Sequence, residues 1–300
     1  MSLISPNDGS PQSYGLIGIG LMGTALAERL LAAGKPVLGW DIAADRRAAL
    51  AQIGGTCATS THQIFSQCDC VLLSLPSHET VASVLDNAVT SIRSGQIVVD
   101  TSTGDPAAAI VQAERMAEHG VEYLDATISG SSQQLRDGVA VFLVGGTTDA
   151  FEQSRPLFSG LTTKVFHTGE VGSGARMKLV TNLVLGLNRA ALAEGLCFAR
   201  QLGLDLQQSL FLLRESMAYS RIMDTKGEKM LTGDFTPQAK LSQHLKDVRL
   251  MLQSAHEANG NLPLTETHQA LLERAVEMGL GELDNSAIVR AIAGNEFLSP

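Results

Sequence analysis

The chain has 300 residues, 44% of them hydrophobic and 18% charged, which suffices for two domains with separate cores and excludes wholesale disorder. Its 22 Lys plus Arg stand against 31 Asp plus Glu, and the formal charge of −9 argues against nonspecific binding to nucleic acid or to an anionic membrane surface. Four cysteines (Cys57, Cys68, Cys70 and Cys197) form neither a disulfide framework nor a four-ligand zinc spacing, and neither a secretory leader nor a membrane-spanning apolar run is present, so a reduced, cytoplasmic protein is expected.

Met1 to Ser13 is polar, with Pro6, Gly9 and Pro11, and reads as a disordered leader or in part a cloning remnant. From Tyr14 a short apolar strand runs into a G-x-G-x-x-G turn, Gly18, Gly20 and Gly23, and then into a helix that stops at Gly34. Strand before and helix after give the triplet the context of a dinucleotide site, where backbone without Cβ atoms approaches a pyrophosphate held at the helix N-terminus. The next strand, Pro36 to Trp40, ends in Asp41, 23 residues after Gly18. An acid there accepts hydrogen bonds from the adenosine ribose and repels a 2′-phosphate, which predicts NAD(H) rather than NADP(H). A helix N-cap before Ala43 is the competing reading for Asp41. Arg46 and Arg47, a helical turn further on, read as solvated charges rather than as phosphate ligands.

Further strands are predicted over Cys70 to Pro76, Gln96 to Asp100, Val121 to Asp125 and Val139 to Val144, alternating with helices. The alternation predicts an α/β, Rossmann-type doubly wound parallel sheet over 14–172, with chemistry in the loops after Pro76, Asp100 and Asp125. After Gly174 strand signals vanish. A periodic apolar helix from Met177 to about Leu202, roughly 40 Å long, opens an all-helical domain over 173–300, with breaks near Gly233, Gly260 to Pro263, and Gly279 to Gly281. Lys178 and Asn182 lie four residues apart on one face of that helix and can reach one small substrate together; the same spacing suits an interfacial lysine extending its ammonium to water. His167, His244 and His256 have no companions at metal-ligand spacing, so no metal is predicted and each reads as a satisfied or solvated imidazole.

Taken together these motifs resemble the beta-hydroxyacid dehydrogenases, which include 3-hydroxyisobutyrate dehydrogenase and tartronate semialdehyde reductase. The resemblance rests on Gly18-Ile19-Gly20-Leu21-Met22-Gly23, Leu75-Pro76, the stretch Asp100 to Pro106, Ser129-Gly130, the Lys178 and Asn182 pair, and Lys246-Asp247. It implies a Rossmann-type domain, an all-helical domain and an active site in the cleft between them. It further implies Lys178 as general acid and base, with Asn182 holding the reacting oxygen or the lysine. A lysine serves so near neutral pH where desolvation or a neighbouring cation favours its neutral form. Ser129, Gly130 and Ser131 would bind the substrate carboxylate. Leu21, Met22, Leu75, Pro76, Thr103 and Lys246 would join the glycines and Asp41 around NAD, and Asp247 would fix Lys246. A homodimer or homotetramer follows from the same resemblance.

The family's substrate loop, D-A-P-V-S-G-G-x-x-G-A-x-x-G-T, is altered here: Thr127 replaces its proline, and Ser131 and Gln134 replace glycines. A different loop path is expected, and the added polar groups of Ser131, Ser132 and Gln134 suggest a substrate more hydroxylated than 3-hydroxyisobutyrate. Arg136 is set either to meet a second acidic group or to stand exposed. The 6-phosphogluconate dehydrogenases carry histidines three residues either side of the lysine, where this chain has Ala175 and Thr181, and imine reductases replace the lysine. The alternative of another class is a non-catalytic dinucleotide-binding module on the same fold.

Overall fold

In the computed structural model residues 14–293 are described; the leader expected over Met1 to Ser13 and the last residues up to Pro300 lie outside them. Among the described residues eight segments become strands: β1 (Tyr14–Ile17), β2 (Val37–Trp40), β3 (Thr56–Cys57), β4 (Cys70–Leu73), β5 (Ile97–Asp100), β6 (Glu122–Ser129), β7 (Val141–Gly145) and β8 (Lys164–Gly169). They form one sheet in the order β3-β2-β1-β4-β5-β6-β7-β8. Every residue of β1, β4 and β5 is buried, as strands covered on both faces require. Side chains alternate between two cores: Leu16 and Leu72 pack with Leu26, Leu30 and Phe142, while Ile17, Val71 and Leu73 pack with Phe65, Val81 and Leu85.

The sheet is not wholly parallel, a correction to the expectation above. β6 and β7 pair antiparallel, Asp125 opposite Gly145 through Ser129 opposite Val141. Residues 130–140 hold only the helix Ser132–Arg136, too short a connection for the crossover that a parallel neighbour requires. β3 and β8 carry no strong sequence signal, because one is two exposed residues and the other is an edge strand with Phe166 turned to solvent.

The chain divides into two compact units after Lys178, so the boundary falls inside the 29-residue helix Ser173–Gln201. The second unit is helical: the rest of that helix, then Leu206–Glu215, Ile222–Thr232, Leu241–Glu257, Pro263–Glu277 and Ile288–Ala293. Leu192, Leu196, Leu210, Met230, Leu245 and Leu272 form its core. Gly233 ends one helix in the left-handed conformation, φ 72°, at the break read from the sequence.

One buried ion pair ties this unit. Asp284, fully buried, accepts from Lys226 Nζ at 2.9 Å, from the Gln238 N–H at 2.9 Å and from Ser286 Oγ at 2.7 Å. Burial works against its charge, yet these donors hold the carboxyl at about 2. Removing the acid strands the Lys226 ammonium in the interior. Asp284→Ala is expected to cost about 3–5 kcal/mol in urea unfolding; a loss under about 1 kcal/mol would contradict this role.

Candidate active site

The first glycine turn is shaped by close backbone contacts. A Cβ on Gly18 (φ 92°) would collide with the Ser74 carbonyl, and one on Gly23 with the Gly18 carbonyl, so neither position tolerates a side chain. Gly20 caps the helix Leu21–Ala32 with no side-chain hydrogen bond, and a Cβ there would meet only Arg46 Nη1, at 3.4 Å. The N-terminal N–H groups are thus left to an anion, and the residues present fit a dinucleotide pyrophosphate. Leu21 stands 80% exposed beside the turn, and Met22 is half-buried. Leu75 donates its N–H to Ser102 Oγ at 3.0 Å, joining the segment after β4 to the one after β5 that carries Thr103. Pro76 is exposed.

Asp41 is placed at the end of β2 but turned inward, only 7% exposed. Its Oδ2 accepts from the Ile19 N–H at 2.7 Å and its Oδ1 from the Ala43 N–H at 2.9 Å. The helix cap itself is Ala43, so Asp41 is no N-cap. Arg47 is not a solvated charge either: Nη1 donates to the Asp41 and Ile42 carbonyls, and its guanidinium lies 4.5 Å from the Trp40 ring.

At the carboxyl end of β5, Asp100 is paired in register with Asp125, midway along β6. A cleft there is lined by His78, Asp100, Ser102, Gly104, Gln112, Tyr123, Asp125 and Thr127. Tyr123 Oη donates to Asp100 Oδ2 at 2.6 Å; burial raises the Asp100 carboxyl, while this bond and those from Ser102 oppose the rise.

β6 then fixes the start of the long helix. Asp125 Oδ1 accepts from the Gly172 N–H at 2.8 Å and Oδ2 from the Ala175 N–H at 2.7 Å. Thr127 Oγ1 donates to the Gly174 carbonyl at 3.1 Å. One turn on, Lys178 Nζ donates to the Ile128 carbonyl at 2.6 Å. Three positions of one strand, Asp125, Thr127 and Ile128, therefore set the height and rotation of the helix and the place of the ammonium beside Ser129. Sequence reading missed these roles of Asp125 and Thr127, because they join residues about fifty positions apart.

The altered loop folds into the helix Ser132–Arg136, entered through Gly130 at φ 149°. Ser131 and Gln134 form a reciprocal capping box: Ser131 Oγ accepts the Gln134 N–H, and Gln134 Oε1 accepts the Ser131 N–H. Their polarity is spent on each other, which weakens the case for a more hydroxylated substrate. Arg136 Nε donates to Glu28 Oε2 at 2.5 Å rather than facing a substrate acid.

In the second unit, Asn182 Nδ2 donates to Asp247 Oδ2 at 3.3 Å, and Lys246 is exposed on the helix Leu241–Glu257. His244 is neither satisfied nor solvated. It is buried with Nε2 unpartnered, its ring 5.2 Å from that of His268, and burial followed by the Arg189 charge holds its pKa well below the ordinary value. Glycine at position 186 makes this packing possible, since a Cβ there would crowd His244 Nε2 and His268 Cε1. His167 is satisfied, with Nε2 2.8 Å from the Gly146 carbonyl and the ring stacked on Phe151, and His256 is exposed. Among the described residues no three His, Cys, Asp or Glu side chains are grouped to hold a metal.

Residues 13–169 match the family of the NAD binding domain of 6-phosphogluconate dehydrogenase, and residues 172–292 that of the NAD-binding part of NADP-dependent 3-hydroxyisobutyrate dehydrogenase. The chain is 31% identical over 280 residues to 2-(hydroxymethyl)glutarate dehydrogenase of Eubacterium barkeri, covering 92% of this chain and 93% of that one. It is 34% identical over 283 residues to 2-hydroxy-3-oxopropionate reductase of Escherichia coli, covering 93% and 96%. The crystal structure of 3-hydroxyisobutyrate dehydrogenase from Salmonella typhimurium superposes with a TM-score of 0.84 at 25% identity, covering 93% of this chain and 99% of that one.

The helix anchor has a pH signature. Burial pushes the Asp125 carboxyl from 3.8 up to about 6, against the pull of the Ala175 and Gly172 N–H groups. A raised carboxyl favours the protonated fold, so its contribution is greatest below about pH 4 and declines as pH rises to about 6, by up to about 3 kcal/mol. Asp125→Asn abolishes this titration. The stability deficit of the variant in urea unfolding is expected to shrink by that amount between about pH 4 and pH 6.5; a deficit constant across the range would contradict the shift.

Proposed function

The chain belongs to the NAD(P)-dependent beta-hydroxyacid dehydrogenases, and from that premise we propose that it moves a hydride between NAD(H) and a small beta-hydroxy acid or its semialdehyde or keto acid, with Lys178 as general acid and base. The observation that carries this reading is the Lys178 ammonium held 2.6 Å from the Ile128 carbonyl by a helix pinned at its first turn. A proton donor fixed in place beside the Ser129 loop is what reduction of a carbonyl needs.

The nicotinamide supplies or receives the hydride when bound. The chain's own residues do the rest. In the reducing direction Lys178 Nζ gives a proton to the substrate oxygen as the carbonyl carbon gains the hydride; in the oxidising direction the neutral amine takes the hydroxyl proton. Ser129 and the Gly130 backbone bind the carboxylate, a role suited to a hydroxyl and an exposed N–H, whereas the Ser131 N–H is taken by Gln134 Oε1. Asn182 holds the reacting oxygen or the lysine, and its bond to Asp247 supports a fixed amide orientation. Leu21, Met22, Leu75, Pro76, Thr103 and Lys246 contact the nucleotide. The two relatives named for 2-(hydroxymethyl)glutarate and 2-hydroxy-3-oxopropionate support a carboxylate bearing a nearby hydroxymethyl or aldehyde group.

NAD(H) is the preferred form in this reading, because the Asp41 charge at the end of β2 disfavours a 2′-phosphate. Exposed Phe198, Leu202, Phe211 and Leu212 in the second unit support self-association as a homodimer or homotetramer. The four cysteines are free, which supports a reducing, cytoplasmic setting, and no described helix is long and apolar enough to cross a membrane.

Assayed against a panel of small semialdehyde and keto acids, the protein is expected to consume NADH, and Lys178→Ala to lose about 10²–10⁴-fold in turnover with NADH affinity nearly intact. Retained turnover in the variant would overturn the role of Lys178. Nucleotide binding without turnover on any panel member would favour a non-catalytic binding module.

A further inference from the structure

We propose that Arg46 is a specificity residue that supplies a ligand for a 2′-phosphate, so that the site binds NADPH within about tenfold of NADH instead of excluding it. The inference rests on the nucleotide-binding reading above and concerns the chain's own groups at the end of β2.

Three charged side chains meet there, and only one of them is a cation directed at the glycine turn. The Asp41 carboxylate is buried, and both its oxygens accept main-chain N–H groups, one from Ile19 in the glycine turn and one from Ala43 in its own loop. An acid so engaged and buried is less open to a ribose hydroxyl, and discrimination against a 2′-phosphate weakens accordingly. Arg47 is fixed by the Asp41 and Ile42 carbonyls and by its position over Trp40. Arg46 differs from both. Its side chain is 53% exposed, and Nη1 lies 3.7 Å from Asp41 Oδ2, an ion pair without a short hydrogen bond.

The same nitrogen would lie 3.4 Å from a Cβ at Gly20, the middle glycine of the turn, where nothing else comes within 4 Å. The guanidinium thus reaches from the helix Ala44–Gln52 to the mouth of the pyrophosphate cradle, the side on which a nucleotide's adenosine ribose must lie. A guanidinium has five N–H donors in a planar fork, and one edge turned toward Asp41 leaves donors for a phosphate. With NADH, Arg46 stays paired with Asp41. With NADPH, the 2′-phosphate takes the exposed edge and offsets the repulsion from Asp41.

Isothermal titration of wild type, Arg46→Ala and Arg46→Lys with NADH, NADPH and 2′,5′-ADP tests this without turnover. Wild type is expected to bind the two dinucleotides within about tenfold of each other. Arg46→Ala should weaken NADPH and 2′,5′-ADP about tenfold or more and NADH by far less, with Arg46→Lys intermediate because it keeps the charge but loses the fork. Equal losses for NADH and NADPH, no loss for either, or a wild-type preference for NADH above about a hundredfold would overturn the inference. Binding of neither dinucleotide by wild type would overturn the nucleotide reading itself and this inference with it.

Discussion

The structure of the first unit depends on one carboxylate at the N-terminus of one helix. Asp125, buried at the carboxyl end of the parallel run of strands, accepts the N–H groups of Gly172 and Ala175 and so fixes where the helix Ser173–Gln201 begins. N–H groups at a helix start have no partners within the helix, and a buried start without an acceptor is costly. Thr127, two residues on and therefore on the same face of β6, adds a bond to Gly174. With height and rotation set by two side chains, Lys178 arrives one turn later at the Ile128 carbonyl rather than at solvent. The extra residues of β6 beyond Asp125, which pair antiparallel with β7, are what carry the Ser129 loop to that ammonium.

The nucleotide end is governed by a different constraint, which is how closely backbones approach. Gly18 and Gly23 admit no Cβ because carbonyls occupy that space, and Gly20, having no side chain, leaves the helix start uncapped. Charge is arranged around this geometry rather than creating it. Asp41 spends one oxygen on the glycine turn and the other on its own loop, and of the two following arginines one is bound to the strand end and the other faces the turn.

Much of this was legible in the sequence wherever the signal is local. The glycine turn, the strands at Val37–Trp40 and Cys70–Leu73, the long helix and the breaks at Gly233 and Gly279 all follow from punctuation and periodicity within a dozen residues. Partners far apart in the chain were not legible. The sequence offers Asp125 as a strand end and Thr127 as a departure from a family pattern, and neither reading contains the helix start about fifty residues later. The antiparallel turn of β7 was missed because the pattern of a buried strand is blind to direction. The substrate loop was misjudged in its chemistry: Ser131 and Gln134 look like ligands until the reciprocal cap is seen. His244 was misjudged for a similar reason, since burial beside Arg189 and His268 is a property of three elements of the second unit packed together.

The central claim is that a fixed amine at position 178 moves the proton, and chemical rescue tests it most directly. Lys178→Ala would be assayed with a series of small primary amines of differing basicity, using the best substrate of the wild-type enzyme. Turnover restored in proportion to amine concentration, and graded by amine basicity, is the predicted result, because an amine in the space left by the side chain meets the same Ile128 carbonyl. An inactive variant that no amine restores, though it still binds nucleotide, would contradict a proton-transfer role and leave Lys178 a positioning residue.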